Sequence, residues 1–153
     1  VLALVGDAGV VAAIRDEDLP GTWAPLPAIA SIAAGLAGDA TRLHEWFPGI
    51  VSCTVEGSQR TIVTGAGIPM PEEILCCDDD QRRFQYRLTV PMFTHHRGTI
   101  DVIDLGDETC LVVYSTEADP RAMALVIGGG TRGALAELKR QMEADLPVTR
   151  GSR

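Results

Sequence analysis

The residues best suited to chemistry in this chain are one histidine and two tyrosines. Over Thr94 to Ile103, strand alternation puts His96 on one face with Gly98, Ile100 and Val102, and His95, Arg97 and Asp101 on the other. An imidazole held among apolar side chains has two functional uses: orienting a ligand carbonyl, or shuttling a proton near neutral pH. The plain alternative is a core histidine bonded to a neighbour. Tyr86 alternates with Phe84, Leu88 and Val90, and Tyr114 with Val112. Each tyrosine offers an apolar body and one hydroxyl, which suits contact with an aromatic or apolar ligand, and core packing accounts for at least one of them. Glu72 and Glu73 stand on opposite faces of one strand, so one of them points inward or sits at the rim. An inward carboxyl has a raised pKa unless it is paired.

Three other patterns invite a reading and fail to complete it. Gly128-Gly129-Gly130-Thr131-Arg132-Gly133 is formally GxGxxG, the glycine pattern that brings a pyrophosphate to a helix N-terminus. Only twenty residues follow Gly133, too few for the rest of a βαβ unit and its next strand. Nicotinamide and flavin cofactors are therefore not expected, and the glycines read as part of a terminal helix. Each costs about 1 kcal/mol of helix stability against alanine, which a cavity or a close helix approach would justify. Cys53, Cys76, Cys77 and Cys110 make no CxxC pair and have no histidine at metal-ligand spacing, so they read as free, core-filling thiols. Asp78-Asp79-Asp80 reads as a solvated turn, with no further ligands near it in sequence to hold a metal.

The elements that must position these residues follow from the hydrophobic pattern. Pro27 opens an alanine-rich helix through Ala37, ended by Gly38, and Asp39 suits the N-cap of a short helix ending at Trp46, an apolar anchor. From Ile50 to Thr116 the period changes to two, in strands near 50–56, 59–64, 71–77, 83–90, 94–103 and 109–116 separated by Gly, Asp and Pro turns. Arg83 and Arg87 fall on the outer face. Asp119-Pro120 announces a last helix to about Leu146, striped by Leu135, Leu138 and Met142. A helix pair, an antiparallel meander and a long terminal helix make an α+β layer arrangement.

Composition agrees with one folded domain that encloses something apolar. Of the 153 residues 46% are hydrophobic and 22% charged, and mean hydropathy is +0.12. A net charge of −8 and the lack of any basic run longer than Arg82–Arg83 argue against nucleic-acid binding. The apolar stretch Val1 to Ile14 is too short to span a bilayer and is broken by Asp7, so no stable membrane insertion is expected and the chain reads as cytoplasmic.

Taken in order, several segments resemble the START-like (SRPBCC) helix-grip superfamily, in its polyketide cyclase/dehydrase-like branch. They are Leu43 to Ile50 (LHEWFPGI), the acidic turn Cys77-Asp78-Asp79 followed by Arg83 to Arg87 (RFQYR), Gly98 to Ile100, Val112 to Tyr114, and Gly133 to Lys139 (GALAELK). The resemblance implies a curved antiparallel β-sheet wrapped around a long C-terminal α-helix, with two short helices after the first strand. That first strand has no clean alternation within residues 1–26; Val10 to Ile14 and the neighbourhood of Thr22–Trp23 are the candidates. The implied division is an N-terminal segment 1–26, a helix-grip domain 27–147 and a tail 148–153. The family implies binding or transport of a hydrophobic, lipid- or polyketide-like molecule in a cavity between sheet and helix, with no cofactor or metal. A cyclase or dehydratase acting in that cavity, with His96 as the candidate catalytic residue, and a protein-interaction module are the alternatives. The expected lining is Tyr86, Leu88, His96, Ile100, Val112, Tyr114, Gly129 and Gly130. A homodimer is compatible with the sequence.

Overall fold

A computed structural model describes residues 23–26, 30–106 and 109–144. The strands are β1 (Trp23–Leu26), β2 (Ile50–Glu56), β3 (Gln59–Thr64), β4 (Pro69–Asp78), β5 (Arg83–Leu88), β6 (His95–Gly106) and β7 (Thr109–Asp119). The helices are α1 (Ala30–Ala37), α2 (Leu43–Trp46) and α3 (Arg121–Ala144). All seven strands form one antiparallel sheet in the order β1-β7-β6-β5-β4-β3-β2. The chain enters on one edge, crosses to the far edge through α1 and α2, and returns as a meander that ends beside β1.

Local chemistry explains most of these boundaries. Glycine at the β2–β3 turn takes φ +60° at Gly57, which lets a two-residue loop join Glu56 to its partner Gln59. The β3–β4 turn centres on Ala66, with Gly67 at φ +77°. At the end of α1 the Gly38 N–H bonds the Ala34 carbonyl at 2.7 Å. Residues 27–29, where the first helix was expected to open, lie outside the described residues. Asp39 does not cap α2: its Oδ1 accepts the Thr41 N–H at 2.9 Å in a turn before the helix, and α2 starts at Leu43 with no side-chain cap. The first strand lies at Trp23–Leu26, close to one of the two candidates; Val10 to Ile14 lies outside the described residues.

One core fills the concave side of the sheet. Leu36 and Ala37 of α1, Leu43 and Trp46 of α2, and Ala134, Leu135, Leu138 and Met142 of α3 pack on Ile62, Phe84, Tyr86, Ile100, Val102, Cys110, Val112 and Tyr114. The buried stripe of α3 runs Thr131, Ala134–Leu135, Leu138, Met142, a helical period. Seven, four and three residues before Thr131 the same face carries Ala124, Ile127 and Gly128, and these are only half-buried. The helix is thus seated on the sheet from Thr131 onward, while its first ten residues leave that end of the concave face open. This is the helix-grip fold.

Candidate functional site

The open end of the grip is where β5 stops, β6 starts and β7 hands over to α3. His95 pairs with Asp119 there, and the 89–94 segment is pinned across it. Thr89 N bonds the Pro71 carbonyl at 3.0 Å, Phe93 N the Val90 carbonyl at 3.2 Å, and Thr94 N the Asp119 carbonyl at 3.0 Å. Beside this segment lies a hollow of about 350 Å³ lined by Arg87 to Pro91 and by Phe93 to His96. Its wall is mixed: Leu88, Val90, Pro91 and Phe93 are apolar, and Arg87, Thr89, Thr94, His95 and His96 are polar.

His96 forms the inner wall. It is 4% exposed, its ring lies 5.3 Å from Phe93 and 5.5 Å from Tyr86, and its Nδ1 accepts the Leu88 N–H at 3.0 Å. Its Nε2 is buried with no partner. Burial, then the charge of His95, depresses the imidazole to about 4, so it is neutral at neutral pH. Since Nδ1 acts as acceptor, the neutral ring carries its proton on Nε2, and that N–H faces no acceptor.

Deeper in, Tyr86 and Tyr114 meet hydroxyl to hydroxyl at 2.6 Å. A glycine makes the contact feasible. A Cβ at Gly98 would stand 2.4 Å from Tyr86 Cε1 and Cζ, so only the bare backbone of β6 lets that ring lie across it. Burial lifts both phenols, Tyr86 well above its ordinary value and Tyr114 to about 12, so both are neutral hydroxyls.

The charged part of this interior was not anticipated. Arg60 and Glu72 are 2% and 1% exposed, and Arg60 Nε donates to Glu72 Oε2 at 2.5 Å. The guanidinium lies 5.0 Å above the Phe84 ring and 4.8 Å above the Tyr86 ring. Nη1 reaches the Ala40 carbonyl at 3.5 Å, and Nη2 is buried without a partner. Burial opposes both charges. At Arg60 the pull of Glu72 and the tyrosines more than offsets it, and the guanidinium stays firmly protonated. At Glu72 burial raises the carboxyl although the guanidinium draws it down. The inward carboxylate is therefore Glu72, while Glu73 pairs outside with Arg87 at 2.5 Å. A sequence signal existed: residues 60 and 72 are equidistant from Ala66, the centre of the β3–β4 turn, so the hairpin register puts them face to face.

The remaining expected residues divide. Leu88 lines the hollow. Ile100 and Val112 are packed into the core, at 2% and 0% exposure, away from the hollow's wall. Gly130 sits beside Phe47, where a Cβ would come 3.3 Å from Cζ, so a close approach and not a cavity explains it. Gly129 is exposed and two residues, or about 200°, around the helix from buried Thr131. It belongs to the outer side of α3, which corrects its inclusion among the inward residues. Gly128 takes that place, with open space around its Cβ position. The GxGxxG pattern lies wholly inside α3, without the strand and turn that a phosphate cradle needs. All four cysteines are free. Among the described residues no helix is long and apolar enough to cross a membrane.

Known proteins agree with this architecture. Residues 24–143 match the family model "Polyketide cyclase / dehydrase and lipid transport". No curated protein matches the chain. The XoxI protein of Bacillus cereus superposes with a TM-score of 0.74 at 20% identity, covering 80% of this chain and 93% of its own. A solution structure from Thermobifida fusca gives 0.66 at 29% identity over 79% and 92%. The di-domain ARO/CYC BexL of the BE-7585A biosynthetic pathway gives 0.66 at 21% identity, over 79% of this chain and 45% of BexL. With four-fifths of its length inside the family model and its sheet gripping α3 as described, the chain belongs to the polyketide cyclase/dehydrase and lipid-transport family.

Proposed function

We propose that this protein binds an apolar small molecule between the concave sheet and the first half of α3, with its mouth at the 89–94 segment. The observation that carries this reading is a hollow of about 350 Å³ at the open end, walled by the apolar Leu88, Val90, Pro91 and Phe93 together with polar residues, with the neutral His96 among them. Its four apolar residues offer hydrophobic contact and its polar ones fixed orienting points, the two components of a small-molecule site. The family description, which includes lipid transport, supports the same reading, and a net charge of −8 speaks against a nucleic-acid partner. The test is native mass spectrometry of the purified protein, with fluorescence of an uncharged hydrophobic dye on the parent and on Gly128→Leu. Dye binding by the parent that is lost in a folded Gly128→Leu supports the reading. No co-purified ligand and no dye binding by the parent defeats it.

A second reading, a cyclase or dehydratase acting on a polyketide-like molecule, is favoured by the Tyr86–Tyr114–His96 cluster itself. It needs a group that exchanges protons near working pH. An imidazole near 4, a Tyr114 phenol near 12 and a Tyr86 phenol that burial lifts well above its ordinary value are far from that range, which weighs toward binding. Turnover of a poly-β-ketone mimic that is abolished by His96→Ala would reverse the order of the two.

A further inference from the structure

The β5–β6 hairpin closes through a side chain. Its paired rungs run from Arg83↔Asp101 to Tyr86↔Gly98 and stop there, although β5 continues to Leu88, which β4 holds through Glu72. Continuing the register would set Leu88 opposite His96. At that rung the Leu88 N–H donates to His96 Nδ1 at 3.0 Å. Past it the two arms part, and the hollow lies between them, lined by residues 87–91 and 93–96. The other ties of the arms lead away from each other. Thr89 N bonds Pro71 of β4, and Thr94 N bonds Asp119 of β7. The imidazole therefore spans the gap and forms the floor of the hollow.

This tie needs a neutral ring. In an imidazolium both nitrogens carry hydrogens, and the one on Nδ1 would point at the Leu88 N–H. The added charge also finds no partner inside, where the ring lies 4% exposed between Phe93 and Tyr86. On its own strand, His95 and Arg97 are basic. On β5, Arg87 is basic and already paired with Glu73, and Tyr86 is neutral. On β4, Glu72 is already taken by Arg60. On β7, Glu117 and Asp119 lie on the exposed side, with His95 and Thr94. Residues 89–94 and 122–131 contain no ionisable side chain. A buried charge without a partner is heavily penalised, and turning the ring out toward Glu117 and water relieves it.

Resting on the binding reading above, we infer that His96 is a proton-operated latch: protonating its ring unties β5 from β6 and opens the floor of the hollow, so that ligand is released on acidification while the sheet and α3 stay folded. The depressed imidazole, at about 4, keeps the latch closed at neutral pH and sets its opening on the acid side.

The test combines amide-nitrogen relaxation at pH 7 and about pH 3.5 with titration of Nile red. In the unaltered protein the order parameters of residues 88–95 should fall from about 0.85 to below about 0.6 on acidification, with β7 and the second half of α3 unchanged. His96→Asn places an oxygen that does not titrate near the position of Nδ1, and it should keep the segment ordered at both pH values. His96→Phe has no acceptor and should leave it loose at both. The Kd for Nile red should rise about fourfold at pH 3.5, because the closed fraction of a latch titrating near 4 falls to about a quarter. The inference is overturned if the segment stays ordered at pH 3.5, if His96→Asn loosens as the unaltered protein does, or if His96→Phe is ordered at pH 7. Loss of order in β7 and α3 together with the segment overturns it as well. If the segment behaves as expected and no dye binds at pH 7, the binding reading fails while the latch is upheld, which separates the two.

Discussion

His96 links the site to the stability of the whole protein. Its folded value of about 4 lies below the ordinary 6.5, so between those pH values the unfolded chain holds a proton that the folded chain refuses. Stability from this residue is complete above about pH 6.5 and is lost as pH falls toward 4, by roughly 3 kcal/mol at about 1.4 kcal/mol per unit. Glu72, whose carboxyl is raised, acts in the opposite sense, so the comparison must be with a variant. Urea unfolding at pH 7 and pH 4.5 should cost the unaltered protein roughly 2–3 kcal/mol more than it costs His96→Phe; equal losses would contradict a buried neutral imidazole. The Arg60–Glu72 pair makes a second prediction at this scale. Arg60→Met alone strands a carboxylate in the core and should cost about 3–5 kcal/mol, while Arg60→Met with Glu72→Met should recover most of that, since apolar replacement of a whole buried pair is often neutral. Denaturation of both variants gives the answer. A double variant no better than the single one would mean that the pair contributes more than its own charges.

Within the elements, the glycines of α3 are not equivalent, because the helix is seated on the sheet only from Thr131. Gly129 points to the outer side with nothing near its Cβ position, so Gly129→Ala should stabilise by up to about 1 kcal/mol through helix propensity alone. Gly128→Leu should gain part of that propensity and still abolish dye binding, because its side chain enters the open end. Thermal melts and dye titrations on the two variants check both statements. In β6 the order is reversed. Gly98→Ala forces the Tyr86 ring away from its contact with Tyr114 and should cost about 1–3 kcal/mol by overpacking. A melting temperature equal to that of the parent would show that the ring has room to move.

For the molecule as a whole, the layer order fixes which end of the grip is open. Tight packing of Leu135, Leu138 and Met142 on the sheet seals one end of the grip, and the short first turns of α3 with the 89–94 segment frame the other. Calorimetry with NAD(H), NADP(H), FAD and FMN should show no specific binding, since the glycine pattern is helical throughout. Titration of denatured, unreduced protein should count four free thiols; a count of two would reveal a disulfide.

The period-two alternation of the strands is local, set by covalent geometry, and it was enough to place His96, Tyr86 and Tyr114 inward and Arg83 and Arg87 outward, and to give an α+β order of elements; the helix-grip fold came from the family resemblance. The Arg60–Glu72 pairing was legible too, through the symmetry of the hairpin about Ala66, although neither charge announces burial by its type. Tertiary structure decided the rest. A bulge leaves Leu75 unpaired and 41% exposed, shifting the β4 register so that Cys77 comes level with Phe84. The edge position of β1 beside β7 joins residues some ninety positions apart, and no local pattern encodes such a pairing. The seat of α3 depends on how the sheet's curvature meets the helix. That meeting put Gly128 inside and Gly129 outside, packed Ile100 and Val112 into the core, and left His96 with a hydrogen to give.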